Sequence, residues 1–276
     1  MGLAQPNRGH LAMATLERAG AVTDLITQNV DGLHRRAGSR AVIDLHGRID
    51  EVICLGCRSI SSRRELHERL TALNPYFGHP GSAETAPDGD VELEQTDGFA
   101  LAGCRRCPGA LKPHLVFFGE NVPRDRVDRC YRAVDAAEAL LVAGSSLTVM
   151  SGLRFVRHAA RRGIPVVIVN RGVTRGDPVA TARIDAGCSE TLTSLAELLS
   201  VNALEAPGTT RGTAADAGMA GHEPPNETLA VAAHRQLTTG DVAAFRAVAE
   251  RMFGEEFPDI EVVELDGAGA GRVGVS

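Results

Sequence analysis

Apolar and polar positions alternate along this chain with two different periods, and each change of period marks an element. In residues 7–20, NRGHLAMATLERAG, the residues Leu11, Ala12, Leu16 and Ala19 share one helical face, and Gly20 stands where a left-handed C-cap is expected. Val22 to Ile26 reads as a buried strand interrupted by Asp24, and the polar run TQNVD begins where that strand should end. A second short apolar run, Val42 to Leu45, is closed by His46, and Ile49, Val52 and Cys54 then alternate. Residues 61–73 read as a helix with Leu66, Leu70 and Leu73 in register, and 74–97 as a polar loop.

The second half repeats a simpler unit. The apolar run Leu115 to Phe118 is either a core strand or an edge on which an extended peptide adds a strand, and the pattern alone favours the core. Val127, Cys130, Val134 and Ala137 give residues 123–139 a helical face, which makes Cys130 a core residue. Strands are predicted at 139–143 and 165–169, and helices at 152–162 and 191–199. Strands alternating with helices argue for an α/β fold, a parallel sheet with helices on both faces. Residues 205–225 carry Gly, Pro and Ala with almost no large apolar side chains and read as a linker. Beyond it, Val242, Phe245, Val248 and Met252 recur at helical spacing, and 260–265 resembles a short strand.

Composition narrows the class. A chain of 276 residues exceeds the usual domain mode of roughly 100 to 150, so one large domain with an insert, or two domains, is expected. With Lys+Arg 29 against Asp+Glu 35 the net charge is -6, which provides no basic footprint for nucleic acid or a membrane surface. No apolar run approaches the roughly 18 residues of a membrane span, and the first thirty residues lack the regions of a signal peptide. A soluble, intracellular protein is expected.

Candidate chemistry sits at the ends of the predicted strands. Gln28, Asn29 and Asp31 follow the first, His46 the second, Gly144-Ser145-Ser146 the strand at 139–143, and Asn170-Arg171 the strand at 165–169. Open α/β sheets bind ligands at such carboxyl ends. A strand, a small-residue loop and a helix present backbone and hydroxyl donors to a phosphate or ribose, although an ordinary polar turn fits GSS equally well. The two pairs Cys54/Cys57 and Cys104/Cys107 have the spacing of two knuckles that place four thiolates around one zinc ion, with redox pairs or four separate buried cysteines as the competing readings. Four thiolates leave no open position on the metal, so the site is structural.

Six motifs in one order resemble the sirtuins, NAD-dependent protein deacylases: TQNVDGLH (27–34), LHG (45–47), both CxxC pairs, KPHLVFFGE (112–120), GSSL (144–147) and VIVN (167–170), with PNRGH (6–10) similar to the family's PNxxH helix. The likeness covers residues 5 to about 200. LNP (73–75) and APDGD (86–90) resemble the branch of bacterial and mitochondrial members with weak deacetylase activity and a preference for other acyl groups. The resemblance implies a Rossmann-like domain in residues 1–46 and 109–202, an inserted zinc-ribbon module in 47–108, a linker in 203–225 and an extension of no assigned role in 226–276. It makes NAD a co-substrate and zinc a structural ion.

Carried over by residue, the resemblance makes His46 the general base toward a hydroxyl of the nicotinamide ribose, a task suited to an imidazole with a pKa near 6.5. Asn29 would order the ribose and a water, Asp31 would bind the nicotinamide carboxamide, and Gln28 would lie against the ribose. Gly144, Ser145 and Ser146 would hold phosphate and ribose, Asn170 and Arg171 the adenosine ribose, and Cys188 would flank the adenine. An acyl-lysine peptide would lie beside Val116, Phe117, Phe118, Gly119 and Glu120, which turns the preference for that run from core to edge. The products implied are nicotinamide and O-acyl-ADP-ribose, with ADP-ribosyl transfer as an accompanying activity. A cytoplasmic location is expected, with the mitochondrial matrix as the alternative.

One departure qualifies this. The family's GAGxS loop and first strand, which precede PNxxH, have no counterpart in residues 1–276, so an exposed strand edge is expected in the sheet. A start lying upstream is preferred to a genuine short form, since drift after loss of catalysis should have eroded Gln28, Asn29, Asp31 and His46. The alternatives of another class are a noncatalytic zinc-stabilised peptide-binding module, or an inactive truncated sirtuin. Oligomeric state is not legible.

Overall fold

Residues 4–75, 98–204, 228–232 and 262–264 are described in the computed structural model. In chain order the elements are α1 (Arg8–Arg18), β1 (Asp24–Thr27), α2 (Leu33–Arg36), β2 (Val42–Asp44), β3 (Gly47–Cys54), β4 (Ile60–Ser62), α3 (Arg63–Leu73), β5 (Leu111–Leu115), α4 (Arg124–Asp135), β6 (Ala139–Ala143), α5 (Met150–Arg161), β7 (Val166–Val169), β8 (Ala182–Ile184), α6 (Cys188–Leu204), β9 (Thr228–Ala232) and β10 (Val262–Glu264). The chain divides into two units, Met1–Gly47 with Val116–Ser276, and Arg48–Leu115.

The first unit is built on a seven-stranded sheet in the order β10-β8-β7-β6-β9-β1-β2. Successive residues of a strand face opposite sides of a sheet, and these strands are apolar at both parities, as a doubly covered sheet demands. Ile26, Ile43, Leu140, Val142, Val166 and Ile168 join one core with α4 and α5, centred on the fully buried Phe155. Leu25, Val42, Leu141, Ala143 and Val169 join the other, with α1 and α6. Helices therefore cover both faces, as the alternation of elements implied. Cys130 lies in the first core, and burial pushes its thiol up to about 12, so it remains a neutral packing group.

Several expectations need correction in detail. On α1, Met13 takes the buried position while Leu11 is half exposed and Ala19 is exposed, because the buried stripe is centred on Ala12, Met13 and Leu16. Gly20 has φ +77, the left-handed conformation expected after the helix end. The final helix starts at Cys188, three residues before the expected start. The apolar run at 115–118 is not a core strand: β5 stops at Leu115, and Phe117 and Phe118 are exposed. The apolar face at 242–252, the APDGD segment at 86–90 and the linker at 205–225 lie outside the described residues.

The largest departure is at the centre of the sheet. β1 and β2 are parallel, as are β6, β7 and β8, but β9 runs antiparallel between β1 and β6, with Leu25 opposite Ala230 and Leu141 opposite Ala230 on its other side. The edge expected to be bare is thus paired by a strand from the C-terminal extension, and β10 pairs antiparallel with β8. Each main-chain bond in such a ladder contributes a net ~0.5–1.5 kcal/mol. Deleting residues 226–276 is accordingly expected to lower stability by several kcal/mol in urea unfolding and to speed amide exchange at residues 24–27 and 139–143; unchanged exchange at both segments would contradict this pairing.

The second unit holds a three-stranded sheet, β4-β3-β5, with α3 beside it. Ser62 caps α3 by accepting from the Arg64 N–H at 3.1 Å. Buried Asn74 donates to the carbonyls of Leu70 and Ala100 and accepts from the Ala100 N–H at 2.7 Å, which fixes the helix end to the returning chain.

Candidate active site and metal centre

The predicted site residues of the first unit fall where the strand pattern put them. Gln28 follows β1, His46 follows β2, Gly144 to Ser146 follow β6, and Asn170 with Arg171 follow β7, all at the carboxyl ends of parallel strands. Gln28 and Ser145 are brought together: the side-chain amide Nε2 of Gln28 donates to the Ser145 hydroxyl at 3.2 Å, with both residues buried. Gly152 keeps the amide in place, since a Cβ there would stand 3.0 Å from Gln28 Oε1.

His46 is half-buried and held at both nitrogens. Nδ1 lies 3.1 Å from the Gln28 carbonyl oxygen and Nε2 lies 2.8 Å from the Ser151 hydroxyl. A carbonyl only accepts, so Nδ1 carries the proton and Nε2 keeps the basic lone pair. Burial holds the His46 pKa below its ordinary value; the Gln28 carbonyl works against that, and the Arg126 guanidinium of α4 adds to it. Arg126 also donates to the Leu45 carbonyl at 3.2 Å, next to His46.

The remaining residues are engaged locally. Asp31 accepts from the Leu33 N–H at 2.9 Å, so the carboxylate also orders the start of α2. The Asn29 N–H donates to the Thr27 hydroxyl at 3.1 Å. In the loop after β6, Gly144 and Leu147 both have positive φ, 68° and 55°, and the Leu147 N–H donates to the Ser145 hydroxyl. Ser146 bonds the Thr148 hydroxyl at 3.0 Å. Asn170 donates to the carbonyls of Arg171 and Gly172, and the Cys188 thiol donates to the Val169 carbonyl at 3.3 Å. Of the segment 116–120, the Val116 N–H donates to the His46 carbonyl at 2.9 Å, and the Phe117 N–H donates to the Glu120 carboxylate at 3.0 Å. Phe118 is fully exposed, beyond a half-exposed Phe117. Sequence reasoning missed Ser151 and Arg126; the first sits in the opening turn of the helix after GSSL, a place that could have marked it.

In the second unit the four cysteines converge. The Sγ atoms of Cys54, Cys57, Cys104 and Cys107 all lie within 4.8 Å of one another. The close pairs run across the two motifs, Cys54 to Cys107 at 3.4 Å and Cys57 to Cys104 at 3.7 Å. Those separations are far from a disulfide's ~2.05 Å and match the edges of a tetrahedron with metal–sulfur bonds of about 2.3 Å. The donor set therefore fits zinc. The Arg106 N–H and the Ser59 hydroxyl hold the Cys104 thiol down to about 6, and the Ser59 hydroxyl lowers Cys57, whereas at Cys107 the lowering by the Gly109 N–H is outweighed by Cys54 and Cys57, which push it up to about 11, so two of the four are biased toward the thiolates a metal needs. Gly109 is required for the turn to close: a Cβ there would lie 2.7 Å from Cys54 Sγ and 2.9 Å from the Gly56 nitrogen.

Comparison with known proteins gives these sites a context. The model of the Sir2 family matches residues 1–151. The chain is 58% identical over 199 residues to NAD-dependent protein deacetylase 1 of Mycobacterium avium (strain 104), covering 71% of each chain. It is 52% identical over 200 residues to NAD-dependent protein deacetylase 1 of Streptomyces coelicolor, covering 72% of this chain and 67% of that one. Among solved structures, a Sir2 homologue in complex with NAD matches with a TM-score of 0.56 and 31% identity, over 72% of this chain and 67% of that one. A Sir2 protein bound to a myristoylated histone peptide matches with a TM-score of 0.55 and 31% identity, over 74% of this chain and 75% of that one. With a family model spanning more than half its residues, and relatives this similar over two thirds of their own length, the chain belongs to the Sir2 family.

Proposed function

We propose that this chain removes acyl groups from protein lysine side chains at the expense of NAD, giving nicotinamide and O-acyl-ADP-ribose. The observation that carries the reading is the state of His46: a neutral imidazole with its proton committed to the Gln28 carbonyl and its basic nitrogen directed away from it, at the end of β2 among Gln28, Ser145 and Ser151. NAD supplies the electrophilic ribose carbon and the leaving nicotinamide. His46 would take the proton from a ribose hydroxyl, and Asn29 would orient that ribose and a water. The free oxygen of Asp31 would meet the carboxamide, while its other oxygen stays on the Leu33 N–H.

Gly144, Ser145 and Ser146 would receive phosphate and ribose; the Gly144 N–H still donates to the Val169 carbonyl at 2.9 Å, and the left-handed Gly144 and Leu147 turn the chain out of the strand after it. Asn170 and Arg171 would meet the adenosine ribose and Cys188 the adenine. Val116 to Glu120, outside any strand in the free chain, would pair with an extended acyl-lysine peptide, with Phe117 and Phe118 as its apolar contacts. ADP-ribosyl transfer would use the same activated ribose with a different acceptor. We place the protein in the cytoplasm, a reducing compartment that suits six cysteines none of which forms a disulfide.

The test is nicotinamide release from NAD in the presence of a panel of acyl-lysine peptides. Release that depends on one peptide class supports the reading and names the acyl group. Peptide binding with neither nicotinamide release nor an NAD-dependent thermal shift would replace it with the noncatalytic peptide-binding module.

A further inference from the structure

Ser151 is buried in the opening turn of α5, yet it does not serve the helix: the N-cap position is Val149, without any side-chain capping bond. Its hydroxyl is spent on His46 instead, at 2.8 Å from Nε2. Because the Gln28 carbonyl fixes the proton on Nδ1, the hydroxyl must donate to the lone pair of Nε2. The ring is then clamped from two elements, the end of β1 and the start of α5, with the adjoining Gly152 packed against the Gln28 side chain. We propose that Ser151 is a positioning residue for the general base, fixing the ring plane of His46 through Nε2 while the Gln28 carbonyl sets the tautomer.

A hydroxyl suits this place better than a fixed donor or acceptor. In the free chain Ser151 donates to the neutral ring. When a substrate hydroxyl takes the place of the Ser151 O–H on the lone pair of Nε2 and gives up its proton, the O–H bond of the substrate breaks, an N–H bond forms, and the rotated Ser151 oxygen accepts from the new imidazolium. One residue thus serves both protonation states, with no proton gained or lost by the serine. A carboxylate at this position would only accept and would favour the imidazolium alone. The charged group facing the ring, Arg126, disfavours the imidazolium, which gives the accepting state of Ser151 a task.

This inference rests on His46 acting as the base, and its test separates the two. Ser151→Ala removes only the hydroxyl at a helical position, and Ser151→Thr retains one. For Ser151→Ala, kcat should fall about ten- to hundredfold, the worth of one hydrogen bond to a charged group, with KM for NAD and for peptide within about twofold. Ser151→Thr should recover most of the loss. In parallel, the imidazole nitrogen shifts of His46, read by NMR on the full chain without ligand, should report an Nδ1–H tautomer in both chains, with the Nε2 signal displaced in Ser151→Ala, where its lone pair loses the serine donor. Unchanged imidazole signals in Ser151→Ala, a loss confined to KM, or no recovery in Ser151→Thr would each overturn the proposal. An Nε2 signal that depends on Ser151 in a chain releasing no nicotinamide would uphold the clamp and defeat the deacylase reading.

Discussion

His46→Ala is expected to reduce nicotinamide release by about 10²- to 10⁴-fold, the usual contribution of a positioned general base. The chain should remain folded, because the imidazole is only half-buried and its two partners, the Gln28 carbonyl and the Ser151 hydroxyl, can be met by water once it is gone. The wild-type pH profile checks the same assignment from another side. Burial lowers the His46 pKa, so the ring stays neutral and basic at pH values where an ordinary histidine, near 6.5, would already be half protonated. Protonated His46 cannot act as the base. Activity should therefore hold as pH falls through 6.5 and decline only below it, and this acid limb should vanish from the residual activity of His46→Ala. An acid limb above 6.5, or one that survives the substitution, would assign the base to another residue.

What made His46 legible in the sequence was its place. Short apolar runs followed at once by polar residues mark strand ends, and Gln28, Asn29, His46, Gly144 and Asn170 are all such residues. That rule depends on local order along the chain, and it succeeded wherever the strands were local and parallel. It could not reach β9. The run Thr228 to Ala232 is short and weakly apolar, and it becomes a strand only because β1, about two hundred residues before it, and β6, about ninety before it, offer it main-chain partners. Strand identity there is set by distant pairing, which periodicity does not contain. Ser151 was hidden for a different reason: a serine opening a helix reads as a capping residue, and only the approach of His46 from another strand turns it into a partner of the base. The run 115–118 misled in the opposite sense, because apolar side chains alone do not separate a core strand from a surface kept open for a peptide.

The second unit should answer to metal more sharply than any part of the chain answers to a point substitution in its core. Among its described residues Arg48–Leu115 buries few large side chains: α3 has no buried residue, and the buried apolar groups are Val52, Ile53, Cys54 and Ala102. A structural zinc in a four-thiolate site is worth roughly 10–16 kcal/mol of apparent free energy, comparable with or larger than the total stability of ~5–15 kcal/mol of a typical domain. Metal analysis should return one zinc per chain. Its removal by a strong chelator should unfold this unit, seen as loss of amide protection over β3, β4 and β5 that is restored on adding zinc. Cys104→Ser should do the same without chelator, since a hydroxyl replaces a thiolate at a corner where the Arg106 N–H already favours negative charge. Retained protection in the metal-free chain would mean that the small sheet stands on its own packing, and that the four sulfurs, however close, are not what holds it.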